Sequence, residues 1–370
     1  MVTKNLPMRG ALVGGHYRRH KAKRYYLHTL CSTFIEADMK RRFIYISFPV
    51  LLVFGAYFLG PEPAKPEWNM TMPVVPTTAE AVEKYIALKE SVHHLKPDNH
   101  ARIVWADSTK KKTPYSVVYL HGFSASQKEG DPVHREFAKE FGCNLYLSRL
   151  ADHGIDTTEQ LLYFTPDRFW ETAKEALAIG KAIGEKVIIM STSTGGTVAL
   201  VLAAFYPADV AALINMSPNI ALKDSKAWLL SEPWGLQIAR IVFGSDYVQV
   251  SYPPARQPYW NVKYRLEAVT QLEEMLEDKM NQETFAGVKQ PCLTLYYFKN
   301  EQEQDSTVSV SAMLEMHKQL GTPDSLKVAI AVPNAGGHVI GSNLVSRDLA
   351  AVQSSVRKFA VEKLHLQKVN

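Results

Sequence analysis

Three side chains, far apart along this 370-residue chain, are of types that together perform nucleophilic catalysis. Residues 191–196 read Ser-Thr-Ser-Thr-Gly-Gly and directly follow the apolar run Lys186–Met190. A strand that turns sharply into a helix lifts the apex residue, here Ser193, clear of the sheet. That backbone is crowded, so small residues are needed two before and two after the apex. Ser191 and Gly195 hold these places, with serine where glycine is usual. The helix start beneath Ser193 favours negative charge there. Further along, the run Cys292–Phe298 leads to an acidic loop, Asn300 to Asp305, and Leu326–Val332 leads to Asn334-Ala335-Gly336-Gly337-His338. A serine, a carboxylate and a histidine in that order, each after a strand, form a triad. The imidazole takes the serine proton, and the carboxylate fixes its tautomer. Asp305 is the expected acid because it sits just before the next helix; Glu301 and Glu303 are the alternatives.

A second loop bears on the same site. The run Tyr115–Leu120 ends in His121-Gly122-Phe123-Ser124. A backbone N–H after such a His-Gly pair, here Phe123, and the N–H after the nucleophile, here Thr194, can bind a developing oxyanion. His121, Gly122 and Gly195 are expected to support this geometry.

These loops need a scaffold, and the pattern supplies one. Expected helices at 79–92, 131–141, 166–183, 196–205, 308–320 and 344–364 alternate with expected strands at 102–106, 115–120, 144–147, 186–190, 210–216, 292–298 and 326–332. Nearly continuous apolar strands such as YSVVYL suit burial on both faces. Strand–helix alternation implies a mostly parallel central sheet flanked by helices, and ligands bind at the carboxyl ends of its strands. Between about 219 and 289 the rhythm stops. A helix is expected from 266 to 280, and Trp228, Trp234, Trp260 and Tyr264 suggest a cap over the site.

The residues VVYLHGF (117–123), IIMSTSTGG (188–196), Asp305 and GGHVIG (336–341) give the chain a resemblance to the α/β-hydrolase superfamily. It looks most similar to the serine carboxylesterase and monoacylglycerol-lipase-like branch. The resemblance spans roughly residues 80–365. It implies an α/β-hydrolase fold with a helical cap insertion, no metal and no organic cofactor. An ester hydrolase acting through an acyl-enzyme on a small-molecule or lipid ester is the leading expectation. A non-catalytic ligand-binding domain and an acyltransferase or haloperoxidase-like use of the same triad are the alternatives.

Composition limits the setting. The apolar fraction is 46% and the charged fraction 21%, ordinary for a globular protein. Residues 1–42 carry ten Lys or Arg against two acidic residues, while the remainder carries 32 against 35. The net charge of +5 thus belongs to the tail, and nucleic-acid binding by the body is not expected. Residues 43–60 hold no charge and follow Lys40-Arg41-Arg42, which suggests a transmembrane helix. The N-terminus would then be cytoplasmic and the catalytic domain on the outer side; secretion after signal cleavage is the alternative. Residues 1–38 read as a tail or as a stretch upstream of the true start. Residues 61–78 read as a Pro-rich linker with a glycosylation acceptor at Asn69, and 79–365 as the hydrolase domain. Cys31, Cys143 and Cys292 do not make a disulfide framework.

Overall fold

The computed structural model describes residues 36, 38, 39, 41, 43, 45, 47 and 50–369. They fall into two compact units, one ending at Gly60 and one running from Pro61 onward. In the first, residues 50–58 are helical, and Leu51, Leu52, Val53, Phe54 and Phe58 are exposed. The expected membrane span at 43–60 lies partly outside the described residues. Among the described residues no helix is long and apolar enough to cross a membrane. Cys31 and most of the basic tail also lie outside them.

The second unit is built on a seven-stranded sheet. Its strands are β1 (Arg102–Val104), β2 (Thr113–Leu120), β3 (Asn144–Leu147), β4 (Gly184–Thr192), β5 (Val210–Met216), β8 (Cys292–Tyr296) and β9 (Lys327–Ala331). The order is β1-β3-β2-β4-β5-β8-β9; β1 is antiparallel to β3 and all other pairs are parallel. Period-two alternation divides the strand side chains between two cores. Val118, Leu120, Val187 and Ile189 face one, and Val117, Tyr119, Ile188 and Met190 face the other. The first core is covered by α1 (Ala79–Ser91), α3 (Pro166–Ile183), α4 (Thr194–Phe205) and α8 (Val310–Gln319). The second is covered by α2 (Val133–Glu140) and α9 (Leu349–Glu362). Cys143 and Cys292 are buried free thiols.

Two local expectations change. The helix expected at 131–141 starts at Val133: Pro132 holds the cap position without a side-chain bond, and the Asp131 carboxylate pairs with Lys128 and Arg135. The helix after Ser193 begins at Thr194, two residues earlier than expected, so Gly195 and Gly196 lie in its first turn.

The stretch 219–289 contains α5 (Gly235–Phe243), the antiparallel pair β6 (Tyr247–Gln249) and β7 (Lys263–Arg265), α6 (Leu266–Lys279) and α7 (Gln282–Gly287). Three-residue strands are too short to show an alternation in sequence. Ala268, Leu272 and Met275 of α6 join the main core, so the base of the cap is part of the body. The Pro-rich segment carries no helix or strand, yet it is tied down. Trp68 is buried edge-on against Trp170, its indole donates to Asp278 at 2.7 Å, and Lys174 donates to the Asn69 and Thr71 carbonyls.

Candidate active site

Ser193 sits between β4 and α4 with φ 52° and ψ −123°, a region costly for a residue with a Cβ. Neighbouring backbone holds it there. Ser193 N–H donates to the Met216 carbonyl at 3.1 Å, and its own carbonyl accepts from Gly196 and Asn219 N–H. Gly195 is required by space, because a Cβ there would stand 2.1 Å from the Leu120 carbonyl oxygen. Ser191, the departure from the usual glycine, is buried, and its hydroxyl donates to Asn215 Oδ1 at 2.7 Å. A side chain is tolerated at this position because it has a partner.

Asp305 follows β8 and His338 follows β9. Asp305 Oδ2 lies 2.7 Å from His338 Nδ1, and its other oxygen accepts from Thr307 and Val308 N–H. Burial would raise the Asp305 pKa; the His338 charge and bond and the two N–H groups outweigh it and hold the carboxyl below its usual range. Burial likewise opposes charge on His338, but the Asp305 carboxylate outweighs it and leaves the imidazole more basic than usual. An Nδ1–H donated to Asp305 leaves Nε2 as the free base. Nε2 is buried and has no hydrogen-bond partner among the described residues, so the Ser193 hydroxyl is not bonded to it in this arrangement. In unliganded sites such bonds are commonly open and tighten with substrate. The alternative acids, Glu301 and Glu303, are exposed, and Glu303 pairs with Lys299.

Ser193, Thr194, Phe123 and His338 line one cavity of about 540 Å³. Thr194 is the first residue of α4, so its N–H has no partner within the helix. The turn carrying Phe123 is set by two histidines. His121 Nε2 accepts from Leu150 N–H at 3.0 Å and its Nδ1 donates to the Gly122 carbonyl at 2.9 Å. His153 Nε2 accepts from Ser124 N–H at 2.9 Å and its Nδ1 donates to the Ala151 carbonyl at 2.7 Å. Accepting at one nitrogen requires both rings to be neutral. Burial pushes His121 well below the ordinary histidine value and His153 down to about 4. With both nitrogens occupied, neither ring is placed to act as the base.

Glu129 carries no signal in the sequence pattern. It is buried in the cavity wall, and its Oε2 accepts from Gly122 N–H at 2.6 Å. Burial pushes its carboxyl up to about 7, against the opposing pull of the Gly122 N–H, the His338 and Arg256 charges and the Trp260 N–H. Arg256, Tyr252 and Trp260 of the cap line the same cavity. A cavity of this size falls within the range of small-molecule sites. No group of three or more His, Cys, Asp or Glu among the described residues is arranged to hold a metal.

No family model and no curated protein matches this sequence. Solved structures do match its fold. One of a pair of metagenome-derived lipolytic enzymes aligns with TM-score 0.57 at 14% identity, over 72% of this chain and 98% of its own. The monoacylglycerol lipase of Paleococcus ferrophilus aligns with TM-score 0.53 at 12% identity, over 71% and 98%. A soluble variant of monoglyceride lipase from Saccharomyces cerevisiae aligns with TM-score 0.52 at 13% identity, over 72% and 91%. The chain has the α/β-hydrolase fold. Within that fold the four loops described above leave the carboxyl ends of β2, β4, β8 and β9, the edge where open α/β sheets place ligands.

Proposed function

We propose that this α/β-hydrolase chain is a serine hydrolase that cleaves a carboxylic ester through an acyl-enzyme. One observation carries the reading: His338 is paired to Asp305 through Nδ1 and keeps a free Nε2 in the cavity that Ser193 also lines. Binding alone needs no such polarised base. The lipase and esterase names among proteins of the same fold point the same way.

In this mechanism His338 Nε2 accepts the Ser193 proton as Oγ attacks the ester carbonyl. The negative charge formed on the carbonyl oxygen is met by the Phe123 and Thr194 N–H groups and the N-terminal end of α4. Asp305 steadies the imidazolium. The C–O bond then breaks, and His338 returns the proton to the leaving alcohol. Water, deprotonated by the same nitrogen, attacks the acyl-enzyme and frees Ser193 with a carboxylic acid. Loss of a triad residue reduces kcat by roughly 10⁴- to 10⁶-fold in well-studied serine hydrolases. Ser193→Ala is therefore expected to abolish measurable turnover of p-nitrophenyl butyrate and labelling by a fluorophosphonate probe. Unchanged turnover in that variant, or probe on another residue, rules the mechanism out.

A further inference from the structure

The cap holds an arginine whose side chain is fixed but whose donors have no side-chain or backbone acceptor among the described residues. Arg256 lies in the loop between β6 and β7. The ends of that loop are joined by Val250 N–H to the Val262 carbonyl at 2.8 Å. The loop is pinned to the turn beside Ser193 by Asn261 N–H to the Ser124 carbonyl at 2.7 Å. Trp260 packs with Ala125 and with Val339, the neighbour of His338. Arg256 is thereby registered against the catalytic loops.

The guanidinium carbon lies 4.3 Å from the centre of the Tyr252 ring and 4.7 Å from that of Trp260. Stacking on two rings fixes the plane of the group and costs it none of its five donors. An arginine with a purely architectural part would spend those donors on carbonyls or a carboxylate. This one makes no ion pair or side-chain hydrogen bond among the described residues, and its Nε is covered and unpartnered. Among the described residues of the cavity wall, the other groups that can carry charge are Glu129, whose carboxyl is held by Gly122 N–H, and His338, which is held by Asp305. The rest of the wall includes Leu222, Val250, Val269 and Leu272. The cavity thus offers an apolar surface and a preorganised, permanently charged cation near the nucleophile.

We propose that Arg256 binds an anionic group of the substrate, so that the ester cleaved carries a carboxylate or phosphate besides its apolar part. This rests on the Ser193 mechanism proposed above. The fork of a guanidinium suits either anion in a bidentate manner.

The test compares matched substrates on the full chain. One pair is p-nitrophenyl butyrate and mono-p-nitrophenyl glutarate. A second is monobutyrylglycerol and its 3-phosphate. A third presents a monoacylglycerol or its 3-phosphate in uncharged detergent micelles. The readout is the ratio of kcat/KM for the anionic member to that for the neutral one. In the wild type at least one ratio exceeds unity; the pair that does so tells a carboxylate from a phosphate and a soluble ester from a lipid headgroup. Arg256→Gln lowers that ratio by about 10- to 100-fold, the worth of one or two charge-assisted hydrogen bonds, chiefly through KM. Arg256→Lys retains part of it. Ratios at or below unity in every pair, or a ratio unchanged in Arg256→Gln, overturn the proposal. If the variants fail to fold, wild-type inhibition decides: glutarate or glycerol 3-phosphate must inhibit neutral-ester hydrolysis competitively, and inhibition by neither overturns it. Ser193→Ala separates the two readings. Turnover surviving in that variant fells the catalytic mechanism, whereas an inactive Ser193→Ala with unmoved ratios fells only the anion site.

Discussion

At the scale of single residues, the unusual feature of the site is a second carboxyl. Asp305 is anchored by two N–H groups and bound to His338, so it stays ionised and serves one partner. Glu129 lies in the same wall with its pKa pushed up to about 7 by burial, so it changes charge where the enzyme is expected to work. Its negative form raises the basicity of His338, after burial and Asp305. The catalytic base must be neutral, and its folded pKa lies above the ordinary 6.5. The acid limb of kcat/KM is therefore expected above pH 6.5, and Glu129→Gln is expected to move it to lower pH by removing a charge that stabilises the imidazolium. A pH–rate profile of both proteins on p-nitrophenyl butyrate checks this; a limb that stays put or moves upward refutes it. Ser193, Asp305 and His338 could be picked out in the sequence because each lies in the segment that follows a strand and the three come in a meaningful order. Glu129 could not. It lies in a short turn of polar residues that reads as surface loop, and Arg256 and Trp260, which act on its carboxyl, are more than a hundred positions away.

At the scale of elements, the strand–turn–helix unit shows why the serine at 191 is compatible with the elbow. The Ser191 hydroxyl is bound to Asn215, so both polar groups are satisfied inside the sheet. Ser191→Ala leaves a buried amide oxygen without its donor, a loss of about 1–3 kcal/mol. Gly195→Ala meets a backbone carbonyl rather than a yielding side chain, and the strand or helix must shift. The expected order by chemical denaturation is wild type above Ser191→Ala above Gly195→Ala; a Gly195→Ala protein as stable as the wild type contradicts the packing argument. Most strands and helices were legible because the sheet is buried on both faces and its apolar runs are long. The β6–β7 pair was not, since it is short and stabilised by loop closure and by its attachment to Ser124. The aromatic residues suggested a cap over the site; the arginine among them gave no periodic signal.

At the scale of the whole molecule, buried titratable groups link stability to pH with opposite signs. His121 and His153 are neutral in the fold and have depressed pKa values. Their contribution is present above 6.5 and is lost as pH falls, for His153 through about 4. Glu129 works the other way. Its folded pKa of about 7 exceeds the ordinary 4.5, so its contribution is full below 4.5 and is lost as pH rises through about 7. The two effects oppose each other between about pH 4.5 and 6.5, so the wild-type curve alone does not separate them. The difference between wild type and Glu129→Gln does. Glutamine keeps the shape and an oxygen for Gly122 N–H but has no proton to lose. Between pH 4 and pH 8 the stability of Glu129→Gln relative to the wild type should rise by about 3 kcal/mol, from the 2.5-unit displacement at 1.36 kcal/mol per unit. Urea unfolding of the pair at pH 4, 6 and 8 measures it. A constant difference would mean that Glu129 is no more reluctant to ionise in the fold than in the open chain. A rising one would mean that the fold carries an ionised carboxyl beside its nucleophile at a cost, as residues kept for function rather than stability do.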